Sequence, residues 1–157
     1  MNDETDAWWR LHQEYSSEAR HHEQQRASVT GFFSALAAAI LSVIGIDKAL
    51  TLPDLPLTMF LLMLGTFGAL FSAKQYERWF VCMERARQYR RALDTALANA
   101  RIIEFKRLAD QRARERFPRL HAWHLGRFWV ALHLFIALFG LLLTGIIVVR
   151  ELNELRG

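Results

Sequence analysis

Three long stretches without a charged residue constrain this chain more than any other feature. They hold 18, 19 and 22 residues, and none contains Asp, Glu, Lys or Arg: Val29–Ile46, Leu55–Ala73 and Phe128–Val149. At a helical rise of about 1.5 Å per residue, the shortest reaches roughly 27 Å, close to the hydrocarbon thickness of a bilayer. Buried helices of soluble domains seldom run this far without a polar stripe. The sequence therefore predicts an all-α membrane protein with three transmembrane helices, at about residues 29–46, 55–73 and 128–149.

The distribution of Lys and Arg predicts how these spans are oriented. Of the 20 basic residues, 14 lie between the second and third spans, in Lys74–Arg127, with only six acidic residues beside them. The positive-inside rule places this segment in the cytoplasm. We therefore expect a multi-pass protein with its N-terminus in the cytoplasm and its C-terminus outside.

The same pattern divides the chain into four segments of a single helical membrane domain. Residues 1–28 predict a cytoplasmic helix that runs directly into span one, because no Gly or Pro interrupts it. Residues 29–73 predict a helical hairpin of two spans, and residues 74–127 a basic cytoplasmic helical segment. Residues 128–157 predict the third span with a short external tail. We expect the helices to extend into a cytoplasmic helical stalk, with span two continuing unbroken to near Pro118.

Aromatic and aliphatic residues of the first helix are expected to pack inside this stalk. Trp8, Leu11 and Tyr15 lie 14 to 21 residues before span one, which is some 20–30 Å along a straight helix. That distance is too great for an interfacial aromatic belt. We expect them to bury against the helix that follows span two, which carries Met83, Leu93 and Leu97.

Rows of small residues in the first two spans indicate close helix packing. The rows are Ser34, Ala38 and Ser42 in span one, and Gly65, Gly68 and Ala69 in span two. Small side chains let helix backbones approach where lipid removes the hydrophobic drive for association. The rows are compatible with packing inside one chain, with self-association into a larger bundle, or with both. We predict a homo-oligomer that uses them.

His133 is the exception to the apolar character of the spans. The absence of other ionisable groups argues against an ion-coupled transporter or a proton pump, since their sites need carboxylates or bases inside the membrane. Two interpretations of His133 stay open. The imidazole either hydrogen-bonds a neighbouring helix or reaches the interface, or it lines a pore as a polar, titrating group.

The polar segments indicate no catalytic or metal chemistry. The pairs His21/His22 and His121/His124 lack an acidic cluster or a second cysteine beside them, and no HExxH motif is present. No Gly-rich phosphate loop, nucleophile–base pair or carboxylate dyad is visible. We therefore predict a protein that is not an enzyme, with no cofactor and no metal site.

An arginine-rich run in the basic segment begins with four arginines, Arg85, Arg87, Arg90 and Arg91, and continues from Arg101 to Arg119. Such a run is compatible with anionic lipid headgroups, a nucleotide or nucleic acid as a ligand, or with topology determinants on a solvated helix face. We predict contact with membrane lipids or with a cytoplasmic partner at these four arginines, and we do not expect nucleic acid as the partner.

Two segments resemble the SLATT-like small bacterial membrane proteins: Glu14–Arg26, which enters a span directly, and Lys74–Arg78, which follows span two and leads into a basic helix. The resemblance covers roughly Glu14–Arg91 and rests on a helix-span-span-helix pattern, from which the third span departs. It implies an oligomeric effector of the bacterial inner membrane that forms a pore or perturbs the membrane in anti-phage defence. The alternative is a membrane-anchored accessory that binds and positions a cytoplasmic defence complex.

Overall fold

The structure is a computed structural model that describes residues 3–46, 49–97, 100–118 and 125–156. Within these ranges the chain is helical and contains no β-strand. The helices are α1 (Asp3–Ile46), α2 (Leu55–Ala96), α3 (Ile102–Arg116) and α4 (Leu125–Glu154), with a short 3-10 turn at Leu52–Asp54. Three of them, α1, α2 and α4, are long and apolar enough to cross a membrane, as the sequence predicts.

Helix α1 confirms that the N-terminal helix runs into span one without a break, because it holds 44 residues. No proline interrupts it, and its first turn carries Asp3, Glu4 and Asp6, whose charges interact favourably with the positive end of the helix dipole. At about 1.5 Å per residue, α1 is roughly 65 Å long, about twice the hydrocarbon thickness of a bilayer. A helix of this length extends well beyond any bilayer that it crosses.

Thr51 and Asp54 build the turn that leads into span two. The backbone N–H and the hydroxyl of Thr51 both donate to Oδ2 of Asp54, each at 2.9 Å. Helix α2 then begins at Leu55, with Pro56 in its first turn, where a missing N–H removes no helical hydrogen bond. The Asp54 carboxylate therefore fixes the turn before α2 by bonding back to Thr51.

The predicted extension of span two to near Pro118 is wrong. Helix α2 ends at Ala96, and α3 begins only at Ile102. Arg101, directly before α3, has left-handed backbone with φ of 47°, a conformation that an α-helix does not contain. The Ile103 N–H donates to Oδ1 of Asp94 at 3.0 Å, so a carboxylate of α2 satisfies a backbone donor in the first turn of α3.

Packing divides the chain into two compact units, to both of which α1 and α2 contribute. The first, here called the polar unit, combines Met1–Gln24 with Gln75–Leu125, and the second, the span unit, combines Gln25–Lys74 with Gly126–Gly157. The buried apolar residues of the polar unit are Ala19, Cys82, Ala86 and Leu93. A cluster in the span unit consists of Ala37, Ile40, Ile44, Leu61 and Leu64.

Candidate functional site

His133 lies inside the span unit and joins α4 to α1. Its side chain is 0% exposed, and its Nε2 lies 3.0 Å from Oγ1 of Thr30, which is also buried. The ring of Phe33 meets the imidazole edge-on, with 5.9 Å between the ring centroids. Of the two interpretations of His133, the structure thus places the residue in a hydrogen bond to a neighbouring helix. A hydroxyl next to an imidazole can act as a nucleophile and base, but only where substrate reaches it, and neither group here is exposed.

Gly68 makes room for the imidazole on the side of α2. A Cβ at Gly68 would lie 2.6 Å from Cε1 and 2.8 Å from Cγ of His133, so a larger residue would displace the ring. His133 Nδ1, Ser34 Oγ, Ser72 Oγ and Trp129 Nε1 are buried without a hydrogen-bond partner among the described residues. Unpaired buried polar groups cost free energy, so these four atoms lower the stability of the span unit.

A second polar contact joins α2 to α4. The hydroxyl of Thr144 lies 2.9 Å from Oγ1 of Thr58 and 2.9 Å from the carbonyl oxygen of Gly140. Thr58 is completely buried. A Cβ at Gly140 would lie 2.5 Å from the backbone nitrogen of Leu62, so only glycine allows the two backbones this approach. The Thr58–Thr144 pair was not predicted from the sequence, although a hydroxyl in a long apolar stretch often hydrogen-bonds to another helix.

The small-residue row of span two is occupied within the chain. Gly65, Gly68 and Ala69 are all buried, and a Cβ at Gly65 would lie 2.7 Å from both Cα of Ala137 and the carbonyl oxygen of His133. Gly65 and Gly68 therefore allow α2 and α4 to pack closely within a single copy.

The small-residue row of span one faces outward. Ala38 and Ser42 are exposed, and Ser34 is half-buried. Around Gly31 and Gly45 nothing lies within 4 Å of the position that a Cβ would take. The hydroxyl of Ser42 donates back to the carbonyl oxygen of Ala38 at 2.8 Å, which satisfies it on its own helix. The two rows have similar sequences, but the row of span two packs against α4 and the row of span one is largely exposed.

The four arginines of the basic run differ in how far they are already engaged. The guanidinium of Arg85 lies over the ring of Tyr15, 5.4 Å from its centroid, and Arg87 pairs with Glu84 at 3.0 Å. Arg90 is half-buried, whereas Arg91 is exposed. Arg85 is exposed as well, but Arg91 is the exposed one whose guanidinium makes no ring or ion-pair contact with a described residue.

The N-terminal part of α1 packs against α2 inside the polar unit, as predicted for Tyr15. The rings of Tyr15 and Tyr89 stack, 5.8 Å apart and 4° from parallel, and Nδ1 of His12 lies 2.9 Å from the carbonyl oxygen of Ala86. The prediction fails for Leu97, which is 37% exposed and follows the last residue of α2. Trp8 and Leu11 are half-buried, Met83 is half-buried, and Leu93 is buried.

Cys82 lies in the same contact, buried against α1. Its thiol lies 3.6 Å from Oε2 of Glu18 and donates a hydrogen bond to it. Burial raises the pKa of the Cys82 thiol, and the hydrogen bond to Glu18 and the negative charge of that carboxylate raise it further, while Arg85 opposes them. The thiol form therefore dominates at neutral pH, and the group is a poor nucleophile.

The substitution Glu18→Gln is expected to speed alkylation of Cys82 by iodoacetamide at pH 8. Without the carboxylate charge the pKa of the thiol falls, the thiolate fraction rises, and the rate increases by up to about tenfold, the change that one pKa unit produces. Glu14→Gln, one helical turn earlier, is the matched control and should leave the rate unchanged. An unchanged or lower rate in Glu18→Gln would show that Glu18 does not govern this thiol.

The structure describes one of the two histidine pairs, His21 and His22. His22 Nδ1 lies 2.9 Å from Oε1 of Gln75, which joins α1 to α2 in the polar unit. His121 and His124 lie outside the described residues. The contact of His22 is therefore with a side-chain amide, a neutral hydrogen-bonding group.

Comparisons with protein-family models, with curated proteins and with solved structures gave no match to this chain. The resemblance to the SLATT-like proteins thus rests only on the sequence pattern of Glu14–Arg26 and Lys74–Arg78.

Proposed function

We propose that this chain is an oligomeric inner-membrane effector that forms a pore or perturbs the membrane, in bacterial anti-phage defence. The row of small exposed residues on α1 supports assembly. The resemblance of Glu14–Arg26 and Lys74–Arg78 to SLATT-like proteins supports the defence role.

The outward face of α1 has the composition of a helix–helix interface. Its small exposed residues include a row at alternating intervals of four and three: Gly31, Ala35, Ala38, Ser42 and Gly45. This is the spacing of a continuous seam along a helix that crosses another at a small angle. Small residues on such a seam let a second helix approach closely, which is a main source of affinity between helices in lipid.

The outward faces of α2 and α4 carry fewer small residues than the outward face of α1, although α1 also exposes the large side chains of Phe32 and Ile46. They carry large apolar side chains that are about two-thirds exposed, such as Met63, Leu70 and Phe135. Such side chains suit contact with acyl chains. We infer that a second copy packs on α1 while α2 and α4 meet lipid.

The pore or perturbation would arise between copies rather than within one. The polar side chains His133, Thr30, Thr58 and Ser72 are buried inside the span unit, which supports a role in holding helices together. In such an assembly Ser42 lies at the contact between copies and supplies a hydroxyl there. Without charged rings, a pore of this kind should discriminate poorly among ions.

The substitution Ala38→Leu is expected to weaken self-association by about tenfold, because a bulky side chain in the seam forfeits one or two kcal/mol of close packing. In triggered cells it should reduce depolarisation of the membrane in parallel. Cross-linking in membranes and a potential-sensitive dye measure the two effects.

Gly145→Leu on α4 is the matched control, since the glycine is exposed and nothing lies within 4 Å of an added Cβ. It should leave both association and depolarisation intact. A protein that depolarises cells as a strict monomer, or an Ala38→Leu variant that behaves as the wild type, would refute the proposal.

The second candidate, a membrane-anchored accessory for a cytoplasmic partner, is favoured by the exposed position of Arg91 beside Arg90. It predicts an unchanged membrane potential under every trigger. It also predicts that Arg90→Glu with Arg91→Glu abolishes recruitment of the partner to the membrane. Measurement of potential and partner localisation in the same triggered cells separates the two functions.

The proposed orientation has the N-terminus in the cytoplasm and the C-terminus outside. Single cysteines at Asp3, Leu50, Phe105 and Arg156, in a Cys82→Ala background, are expected to label inside, outside, inside and outside, because the basic segment stays in the cytoplasm. An impermeant maleimide on intact spheroplasts makes the measurement. Labelling at Phe105 without prior permeabilisation would reverse the scheme.

A further inference from the structure

Helix α3 packs only loosely inside the polar unit, where Ile102, Glu104 and Asp110 are half-buried and its other residues are exposed. None of its 15 residues is buried, and its large apolar side chains remain in contact with solvent, Phe105 at 63% exposure and Leu108 at 41%. A soluble amphipathic helix normally buries such residues against its own domain. An exposed apolar face on a basic helix is typical of a helix that lies on a membrane surface.

One face of α3 combines apolar and cationic residues. At 100° per residue, Ile102, Phe105, Ala109, Arg112 and Arg116 lie within about 80° of one another around the helix. Apolar residues occupy the N-terminal part of this face and arginines the C-terminal part. The acidic residues of α3 lie elsewhere on the helix: Glu104, Asp110 and Glu115.

The cations of this face are not neutralised within the described part of the chain. Lys106 pairs with Asp110 and Arg101 pairs with Glu104, but Arg112 makes no salt bridge to a described residue. The guanidinium of Arg116 lies 5.6 Å from the centroid of the Phe117 ring, and that ring is half exposed. Both arginines are therefore available to an external anion.

The chain connectivity keeps this cationic end near a membrane. Only eight residues separate Arg116 from Leu125, where α4 begins. Fully extended, they span less than about 30 Å, so the arginines cannot move far from the end of the candidate span. In a bilayer that α4 crosses, the leaflet at the N-terminal end of α4 is therefore within reach of these arginines.

We propose that α3 docks on anionic lipid headgroups through the face that carries Ile102, Phe105, Ala109, Arg112 and Arg116. Phe105 inserts at the acyl boundary, and the two arginines contact phosphates, with their apolar stems along the surface. This docking requires that the spans insert in a bilayer, but it does not require that copies assemble, so it can fail or succeed independently of the effector proposal.

The test places full-length protein, one copy per nanodisc, in phosphatidylcholine alone or mixed with phosphatidylglycerol. A Cys82→Ala background carries an environment-sensitive fluorophore at Ala109→Cys on the docking face, or at Gln111→Cys on the opposite side. With phosphatidylglycerol we expect a blue shift at Ala109 and quenching by lipids that carry a nitroxide near the headgroup. We expect neither at Gln111, and we expect the Ala109 signal to weaken as salt rises.

Charge variants provide the matched comparison. Arg112→Gln with Arg116→Gln should lower the apparent affinity of α3 for phosphatidylglycerol about 25-fold, since each arginine near an anionic surface contributes roughly fivefold. Arg107→Gln with Arg114→Gln removes the same charge from the other side of the helix and should have a smaller effect. Equal losses from the two pairs would overturn the assigned face.

Other outcomes identify another occupant and overturn the proposal. If the fluorophore at Ala109 is quenched in neither lipid composition, α3 does not dock on the membrane. Equal quenching in both lipids, insensitive to salt, would show an apolar contact without anion recognition. A blue shift without lipid quenching that appears only with two copies per disc would assign the face to a second chain. The same shift on addition of an oligonucleotide would assign it to nucleic acid.

Discussion

The substitution Gly140→Ala is expected to destabilise the span unit by about 1–3 kcal/mol, the usual cost of forcing an extra carbon into a packed contact. The added Cβ would lie 2.5 Å from the backbone nitrogen of Leu62 and 2.9 Å from the carbonyl oxygen of Thr58. Both atoms belong to the α2 backbone, so no side chain can rotate away, and α2 and α4 have to separate. Separation also weakens the hydrogen bond between Thr58 and Thr144.

Gly145→Ala, five residues later on α4, is the matched control. Nothing lies within 4 Å of its added Cβ, and exchange of glycine for alanine inside an open helix stabilises it by roughly 0.5–1 kcal/mol. Unfolding in mixed micelles, followed by circular dichroism, compares the two variants. Similar stabilities would mean that α2 and α4 do not approach as closely as the structure has them.

The three long apolar helices and the continuity of α1 could be predicted because the pattern that indicates them is local in the sequence. A run of apolar residues long enough for a bilayer, and a helix without Gly or Pro from Met1 to Thr30, need no partner to be recognised. The boundary of α2 could not be predicted in this way. Its end at Ala96 is accompanied by a hydrogen bond from the Ile103 N–H to Asp94, a contact between residues nine positions apart, and no residue type nearby forbids helix.

The contacts of the small-residue rows could not be predicted from the sequence either. Spacing identifies which residues share a helix face, but it does not say whether that face meets the same chain, another copy or lipid. Gly65 is packed against Ala137 within the chain, whereas Ala38 is exposed. Whether a row is packed or exposed depends on where the neighbouring helix lies, and that position is a property of the tertiary structure. The partner of His133, Thr30, lies 103 residues away and was inaccessible to sequence reasoning for the same reason.

Deletion of residues 1–20 is expected to open the polar unit and to raise the alkylation rate of Cys82 by an order of magnitude or more. The deletion removes Tyr15 from its stack on Tyr89 and Ala19 from its buried position. The surface of α2 that carries Cys82, now 7% exposed, then meets solvent in most molecules rather than only during local opening. We also expect impaired assembly, because exposed apolar surface on α2 favours non-specific association.

Two controls separate exposure from the other consequences of this deletion. Removal of Glu18 alone changes the pKa of the thiol, so the Glu18→Gln rate gives the part of the increase that is electrostatic. Gln13→Ala changes an exposed residue of α1 and should leave the rate unchanged. If the truncated chain is alkylated no faster than Glu18→Gln and assembles normally, the N-terminal turns of α1 do not cover α2. The structure instead predicts a rate well above that of Glu18→Gln, because loss of the Tyr15 and Ala19 contacts removes the steric protection that the point variant retains.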